Sequence, residues 1–262
     1  MKEIILSYLS ESYPWSDRLH CFQSIPSTND YLKKLAREGA PHGTVILADH
    51  QTGGHGRMGR SFQSPAGMGV YMSILLRPDC PATELMHLTC AAAVAMCDAV
   101  EQTAGLRPGI KWTNDLVFQK RKLGGILTEL GFSRSGSVDY AIIGIGINCN
   151  QTLQDFAPEI QGIASSLSAV TGKDVDRFQL ACAMMEALWK LDLTQKESIL
   201  ENYRRSCVTI GREISLVRGE QIRHGKALDV NENGALIVAF SDGSLEAVDS
   251  GEVSIRGMYG YL

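Results

Sequence analysis

Ile110-Lys111-Trp112-Thr113-Asn114-Asp115-Leu116-Val117-Phe118, the polar turn Gln119-Lys120-Arg121, and Lys122-Leu123-Gly124-Gly125-Ile126-Leu127-Thr128-Glu129-Leu130 together decide the fold class. Two apolar runs of strand length flank a turn too short to hold a helix. A third run, Tyr140 to Asn148, follows with no helical segment before it. Helices occur elsewhere in the chain but do not alternate strictly with strands. The class read from this pattern is α+β rather than a doubly wound sheet.

Upstream, Ser27 or Thr28 can cap a helix with Asp30 in its first turn and Tyr31, Leu32, Leu35 and Ala36 as its apolar stripe; Gly39 and Pro41 end it. Thr44 to Ala48 reads as a buried strand. Val70, Met72 and Ile74 alternate with Tyr71 and Ser73, which predicts a half-buried one. A long helix is predicted over Thr83 to Ala104, closed by Gly105, and two more over Phe178 to Leu191 and Lys196 to Ser206. After Gly211 the chain turns to short apolar runs separated by Asn233-Gly234 and Asp242-Gly243, the signature of a small β-barrel. The boundary falls near Cys207 to Gly211, giving domains at residues 1–208 and 209–262.

Twenty-five basic residues against 29 acidic ones leave a net charge of −4, which gives no global field for a nucleic acid or a membrane surface. The N-terminus is too quickly polar for a signal peptide, and Leu85 to Val100, interrupted by His87, Thr89 and Asp98, is shorter than the ~20 residues a membrane span needs. The seven cysteines include no C-x-x-C pair, so neither a disulfide framework nor a zinc knuckle is indicated. His87, Cys90 and Cys97 have ligand-like spacing but lie in an alanine-rich helical run, where small buried side chains are the reading. A soluble, cytoplasmic protein is expected.

Three segments carry chemistry. Gln51-Thr52-Gly53-Gly54-His55-Gly56-Arg57-Met58-Gly59-Arg60 combines four glycines with two guanidinium groups, as an anion-binding loop requires; a mobile hairpin tip with solvated arginines is the alternative. No acidic residue occurs from His50 to Pro78, a stretch that includes Arg77, and this tilts the reading towards an anion site. Lys111-Trp112-Thr113-Asn114-Asp115 offers an amide for a base and a carboxylate for a phosphate-held metal, or else a plain Asx turn. Lys122, heading an apolar strand with Gly124-Gly125, can project an ammonium into a cleft. Glycines in Gly144-Ile145-Gly146-Ile147-Asn148 leave room against a strand, and Asn148 adds a second amide.

In this order and spacing the segments resemble the catalytic core of the biotin protein ligases, from Ser27-Thr28-Asn29 through Gly251-Glu252-Val253-Ser254-Ile255-Arg256. The resemblance implies a mixed-sheet core related to class II aminoacyl-tRNA synthetases, followed by an SH3-like barrel. It implies biotin contacts from Ser27, Thr28, Asn29, Gln51, Gly54, His55, Gly56, Arg57, Lys122 and Gly125. It places ATP against Arg57, Arg60, Phe62, Lys111, Asn114, Asp115 and Asn148, with Mg2+ held by Asp115 through the phosphates. Lys122, Arg57 and Asp115 are the catalytic expectations. The implied ligase forms a carbon–nitrogen bond: biotin and Mg-ATP give biotinyl-5′-AMP, and a lysine of a biotin carboxyl carrier protein then takes the biotinyl group. The carrier would be an acetyl-CoA carboxylase subunit or part of another biotin-dependent carboxylase.

Three positions depart from the family pattern: His55 replaces an arginine, Phe62 a tryptophan and Thr113 a proline. The 26 residues before Ser27 are too few for a winged helix-turn-helix, so no DNA partner is expected. The sequence leaves open a monomer or a homodimer. Rival readings are a lipoate or octanoate ligase-transferase of the same fold and a non-catalytic biotin or adenylate sensor. Gly124-Gly125 after Lys122, with Lys111-Trp112-x-Asn114-Asp115, favours biotin; Lys122, Asp115 and Arg57 together favour catalysis.

Overall fold

Seven strands form one mixed sheet in a computed structural model that describes residues 1–78, 82–85, 87–134, 136–249, 252–255 and 258. They are β1 (Leu19–Ile25), β2 (Val45–Gln51), β3 (Gly69–Leu76), β4 (Gly109–Lys111), β5 (Asp115–Phe118), β6 (Arg121–Phe132) and β7 (Val138–Asn148). Their order is β1-β2-β3-β7-β6-β5-β4, with β1 parallel to β2 and every other pair antiparallel. The α+β class is therefore as read from the sequence, and the structure shows β5, β6 and β7 pairing antiparallel. One stretch differs. Ile110 to Phe118 is not a single strand but the β4–β5 hairpin, with Trp112, Thr113 and Asn114 at its tip and a cis peptide between Trp112 and Thr113. Buried Trp112 carries apolar character into the tip, so the sequence shows no break before Thr113-Asn114.

The sheet is covered on both faces. Helix α2 (Thr28–Arg37) lies on one, where Leu32 and Ala36 pack with Ile46, Leu75 and Ile142. Ser27 is its N-cap, its side chain accepting from the Asp30 amide. On the other face lie α3 (Leu88–Ala104), α5 (Arg177–Trp189) and α6 (Lys196–Ser206), over Val45, Leu47, Met72, Ile74 and Ile143. Short side chains at Ala91, Ala92 and Ala95 are fully or almost fully buried, which lets α3 approach its neighbours closely. Strand β3 was expected to be half-buried, yet every residue of it is buried, because α2 and the loop after β2 cover Tyr71 and Ser73 as well. The long helix begins at Leu88 rather than Thr83; Ala82–Leu85 forms a separate 3-10 turn, and Gly105 closes α3 in the left-handed region.

The first residues form α1 (Lys2–Tyr8), whose Ile5 is fully buried, and the edge strand β1. A short α4 (Leu167–Thr171) precedes α5. After α6, strands β8 (Glu213–Arg218), β9 (Gln221–Val230), β10 (Leu236–Phe240), β11 (Leu245–Val248) and β12 (Glu252–Ile255) make an antiparallel sheet ordered β11-β10-β9-β8-β12. Gly234 and Gly243 take positive φ at the two predicted turns. Of the closing motif, Gly251 and Arg256 lie outside the described residues, as does Cys80. The Trp112 indole donates to the Gly234 carbonyl at 3.0 Å, and the Trp112 amide donates to Thr209 Oγ1 at 2.9 Å, tying this sheet to the tip of the β4–β5 hairpin.

Burial pushes the Cys90 and Cys97 thiols up to about 12, as small buried side chains require. Among the described residues no three His, Cys, Asp or Glu side chains gather as a metal site, and no helix is long and apolar enough to cross a membrane.

Candidate functional site

A cavity of about 320 Å³ opens where the C-terminal end of β2, the starts of β5 and β6 and the end of β7 meet the first turn of α2. Three segments distant in sequence thus converge. Every residue expected to bind ligand lines it except Gly54. A Cβ at Gly54 would lie 2.6 Å from the Phe62 carbonyl and 2.8 Å from Ser64 Oγ, so glycine there serves the packing of the hairpin.

The charged centre is an ion pair. Lys122 Nζ lies 2.6 Å from Asp115 Oδ1, with the two side chains 29% and 17% exposed, so both remain reachable by a ligand. Gly125, opposite Asp115 in the sheet, leaves this pair its space: a Cβ there would touch both side chains at 3.4 Å. The Lys122 amide donates to Ile163 O, and its carbonyl accepts from the Ser165 amide, both at 2.8 Å. The lysine is therefore anchored to the 163–165 segment.

Arg57 stands beside this centre. Its Nη1 donates to Thr113 Oγ1 at 3.2 Å and to Asn114 Oδ1 at 3.1 Å, while Asn114 Nδ2 donates to the Ile126 carbonyl at 2.7 Å. Asn114 thus bridges two strands and a guanidinium instead of closing an Asx turn on its own backbone. The glycine loop is not free along its length. Gly53 N donates to Pro26 O, Phe62 N to Gly54 O and Gly56 N to Arg60 O, leaving Arg57–Gly59 as a 3-10 tip in which Met58 has positive φ and is 69% exposed. His55 lies beside α2, its Nε2 3.8 Å from Asp30 Oδ1.

The glycines of β7 have identifiable occupants. A Cβ at Gly144 would collide with the Asn29 side chain, and one at Gly146 with the Phe62 ring. Phe62 thereby gains a fixed seat, edge-on to Tyr71 at 6.4 Å. Gly146→Ala is expected to displace that ring and to destabilise the fold by ~1–3 kcal/mol through overpacking. Thermal unfolding checks this; an unchanged melting temperature would show that the ring gives way without cost. Asn148 lines the cavity while its amide donates to Ser165 O at 3.0 Å and accepts from Gln151 Nε2 at 3.2 Å.

Sequence reading missed one wall. Phe156, Ile160, Ile163 and Ala164 face the cavity from an irregular segment, and Val253 reaches it from β12. The available signal was a group of apolar residues in a stretch holding Pro158 and Gly162, with no helical or strand period. As for a metal, Asp115 is the carboxylate at the centre. That donor set fits an ion delivered on phosphates and does not fit a resident one.

Comparisons follow the geometry. The model of the biotin/lipoate A/B protein ligase family matches residues 21–148, and that of the biotin protein ligase C terminal domain matches residues 209–256. The bifunctional ligase/repressor BirA of Bacillus subtilis is 37% identical over 226 residues, covering 84% of this chain and 68% of the relative. The chain belongs to the biotin protein ligase family. The biotin–[acetyl-CoA-carboxylase] ligase of Paracoccus denitrificans is 31% identical, covering 88% of this chain and 98% of its own length. A biotin protein ligase from Aquifex aeolicus, solved in complex with biotin and ATP, superposes with a TM-score of 0.74 at 31% identity, covering 91% of this chain and 98% of that one. Family membership places the Lys122–Asp115 pair and the glycine loop in the core that the first model spans.

Proposed function

We propose that this protein activates biotin with Mg-ATP and transfers the biotinyl group to a lysine of a carrier domain. The observation that carries the reading is the Lys122–Asp115 pair in a cavity that also holds the Arg57 guanidinium and the Thr28–Gln51 polar cluster. The biotin carboxylate attacks the α-phosphorus, the bond to the β-phosphate oxygen breaks, and pyrophosphate leaves. Two anions must meet for this to happen. The Lys122 ammonium lowers their repulsion where negative charge develops, and the guanidinium of Arg57 presents paired donors to phosphate oxygens. Asp115 is assigned the metal that arrives on the triphosphate, which would draw its carboxylate from Lys122 and release the ammonium to the substrates. In the second step the uncharged amine of the carrier lysine attacks the acyl carbon, AMP leaves with the bonding electrons, and the amine proton passes to solvent.

The apolar wall of Ile126, Leu127, Ile145 and Ile163 suits the ring and valeryl chain of biotin. The name of the Paracoccus relative favours biotin over a lipoyl or octanoyl group. The proposed carrier is that of an acetyl-CoA carboxylase, after the Paracoccus relative. We further assign residues 1–208 to the catalytic core and 209–262 to a small barrel that covers Trp112 and supplies Val253 to the cavity, consistent with a domain model over 209–256. Incubation with biotin, Mg-ATP and a carrier domain is expected to give a carrier heavier by one biotinyl group in mass spectrometry. A carrier left unmodified while lipoate or octanoate is transferred would replace this reading.

A further inference from the structure

A second cavity, of about 180 Å³, lies across β6 from the first. Gly125 and Leu127 face the first cavity, whereas Thr128 points towards α3, where its Oγ1 accepts from Thr89 Oγ1 at 2.9 Å. The two cavities meet past the end of β5, whose pairing with β6 stops at Asp115 and Gly125. Arg57 and Ile126 line both, and the guanidinium is held at this gap by Thr113 Oγ1 and Asn114 Oδ1. The outer lining of the second cavity is the 233–235 turn of the small barrel together with Asp249. The Asp249 side chain is 64% exposed and lies 3.7 Å from the Arg218 guanidinium, a loose pair open to solvent.

The proposed reaction has three reactants, and two of them fill the first cavity when the third must arrive. Arg57 is assigned to phosphate oxygens, so a cavity that shares Arg57 abuts the acyl phosphate. Drawing the guanidinium from Thr113 onto phosphate would open the gap between the cavities once the adenylate has formed. The lining also suits one kind of guest. Ile126 and the threonine methyl groups can face a methylene stem, while hydroxyl oxygens and the rim carboxylate can accept from an ammonium. An anion would meet Asp249 at the rim.

We infer that the second cavity is the passage by which the carrier lysine reaches the acyl carbon, with Asp249 at its mouth and Arg57 as its inner door. This rests on the ligase reading above, and deepens it. The lysine ammonium enters, gives one proton to solvent and attacks as the free amine. The carbon–nitrogen bond forms as the bond from the acyl carbon to the phosphate oxygen breaks. AMP keeps that electron pair, and the second nitrogen proton passes to solvent.

The test uses the full chain and follows the two steps separately. Thr128→Leu fills the passage from a position that does not line the first cavity, and Asp249→Lys reverses the charge at the mouth. Pyrophosphate release from biotin and Mg-ATP in a single turnover without carrier is expected to stay within about twofold of the parent in both. Transfer from preformed adenylate to a carrier domain is expected to slow roughly ten- to hundredfold in Thr128→Leu. In Asp249→Lys it should slow by about three- to tenfold at low salt, with the effect shrinking as salt rises. Hydroxylamine, small enough to reach the adenylate without the passage, should form the hydroxamate at about the parent rate in both variants. Asp249→Lys alters an exposed group, so it stays informative if Thr128→Leu does not fold. Carrier transfer at the parent rate in a folded variant would overturn the passage while leaving the ligase reading intact. An equal loss of hydroxylamine and carrier reactivity would do the same. A parent chain that releases no pyrophosphate with biotin, or releases it and leaves the carrier unmodified, would overturn both.

Discussion

Lys122→Ala is expected to lower biotin-dependent pyrophosphate release by roughly 10²- to 10³-fold, the range seen when one preorganised charge-stabilising donor is removed from a reaction centre. The ammonium is the positive group that Asp115 holds at 2.6 Å, and Gly125 keeps space open around both. The loss should fall on kcat more than on the KM for either substrate, since the charge is worth most where the two anions react. Stability should change little. The pair is partly open to solvent, and such pairs contribute ~0–1 kcal/mol. Pre-steady-state measurement of adenylate formation, with circular dichroism to verify folding, separates the two effects. Release within about threefold of the parent rate would remove Lys122 from the chemistry.

Arg57→Gly should chiefly alter retention of the adenylate. The guanidinium is tethered to Thr113 and Asn114 by Nη1, which aims it across the cavity and lowers the ordering cost of a phosphate contact. A charge-assisted contact to phosphate lost on substitution corresponds to a roughly ten- to hundredfold faster adenylate off-rate. Escaped adenylate is a free acylating agent, so bystander lysines should become labelled. His55→Arg, restoring the family residue, is expected to slow release. Amide exchange locates the accompanying ordering. The base of the loop is already pinned by the Gly53–Pro26 and Phe62–Gly54 bonds, so protection on ligand binding should rise mainly at 57–60 rather than over the whole of 53–59. An off-rate equal to the parent would remove the phosphate-clamp role from Arg57.

Much of this was legible in the chain. The Ser27 cap, the Gly105 stop and the turns at Asn233-Gly234 and Asp242-Gly243 are local devices, decided by a few neighbouring residues. The same holds for the glycines at 144 and 146, whose cost inside a strand announces a close neighbour without naming it. Their partners, Asn29 and Phe62, lie 115 and 84 positions away, and no period in the sequence connects them.

What the sequence by itself determined is the α+β class, the texture change after Gly211 and the residue types of the reaction centre, because periodicity, turn chemistry and charged groups in apolar strands are written locally. The tertiary structure alone decided the rest. Strand β1 is not marked in the sequence and is held as a strand by pairing in parallel with β2. The β4–β5 hairpin is held by Thr209 and Gly234 from the far end of the chain. Phe156, Ile160 and Ile163 form a wall only because Lys122 pairs with the 163–165 backbone, and Ser73 reaches Asn29 only once α2 lies on the sheet. Each of these depends on hydrogen bonds or burial between segments remote in sequence. Such contacts become favourable once the intervening chain is ordered, so no local pattern encodes them.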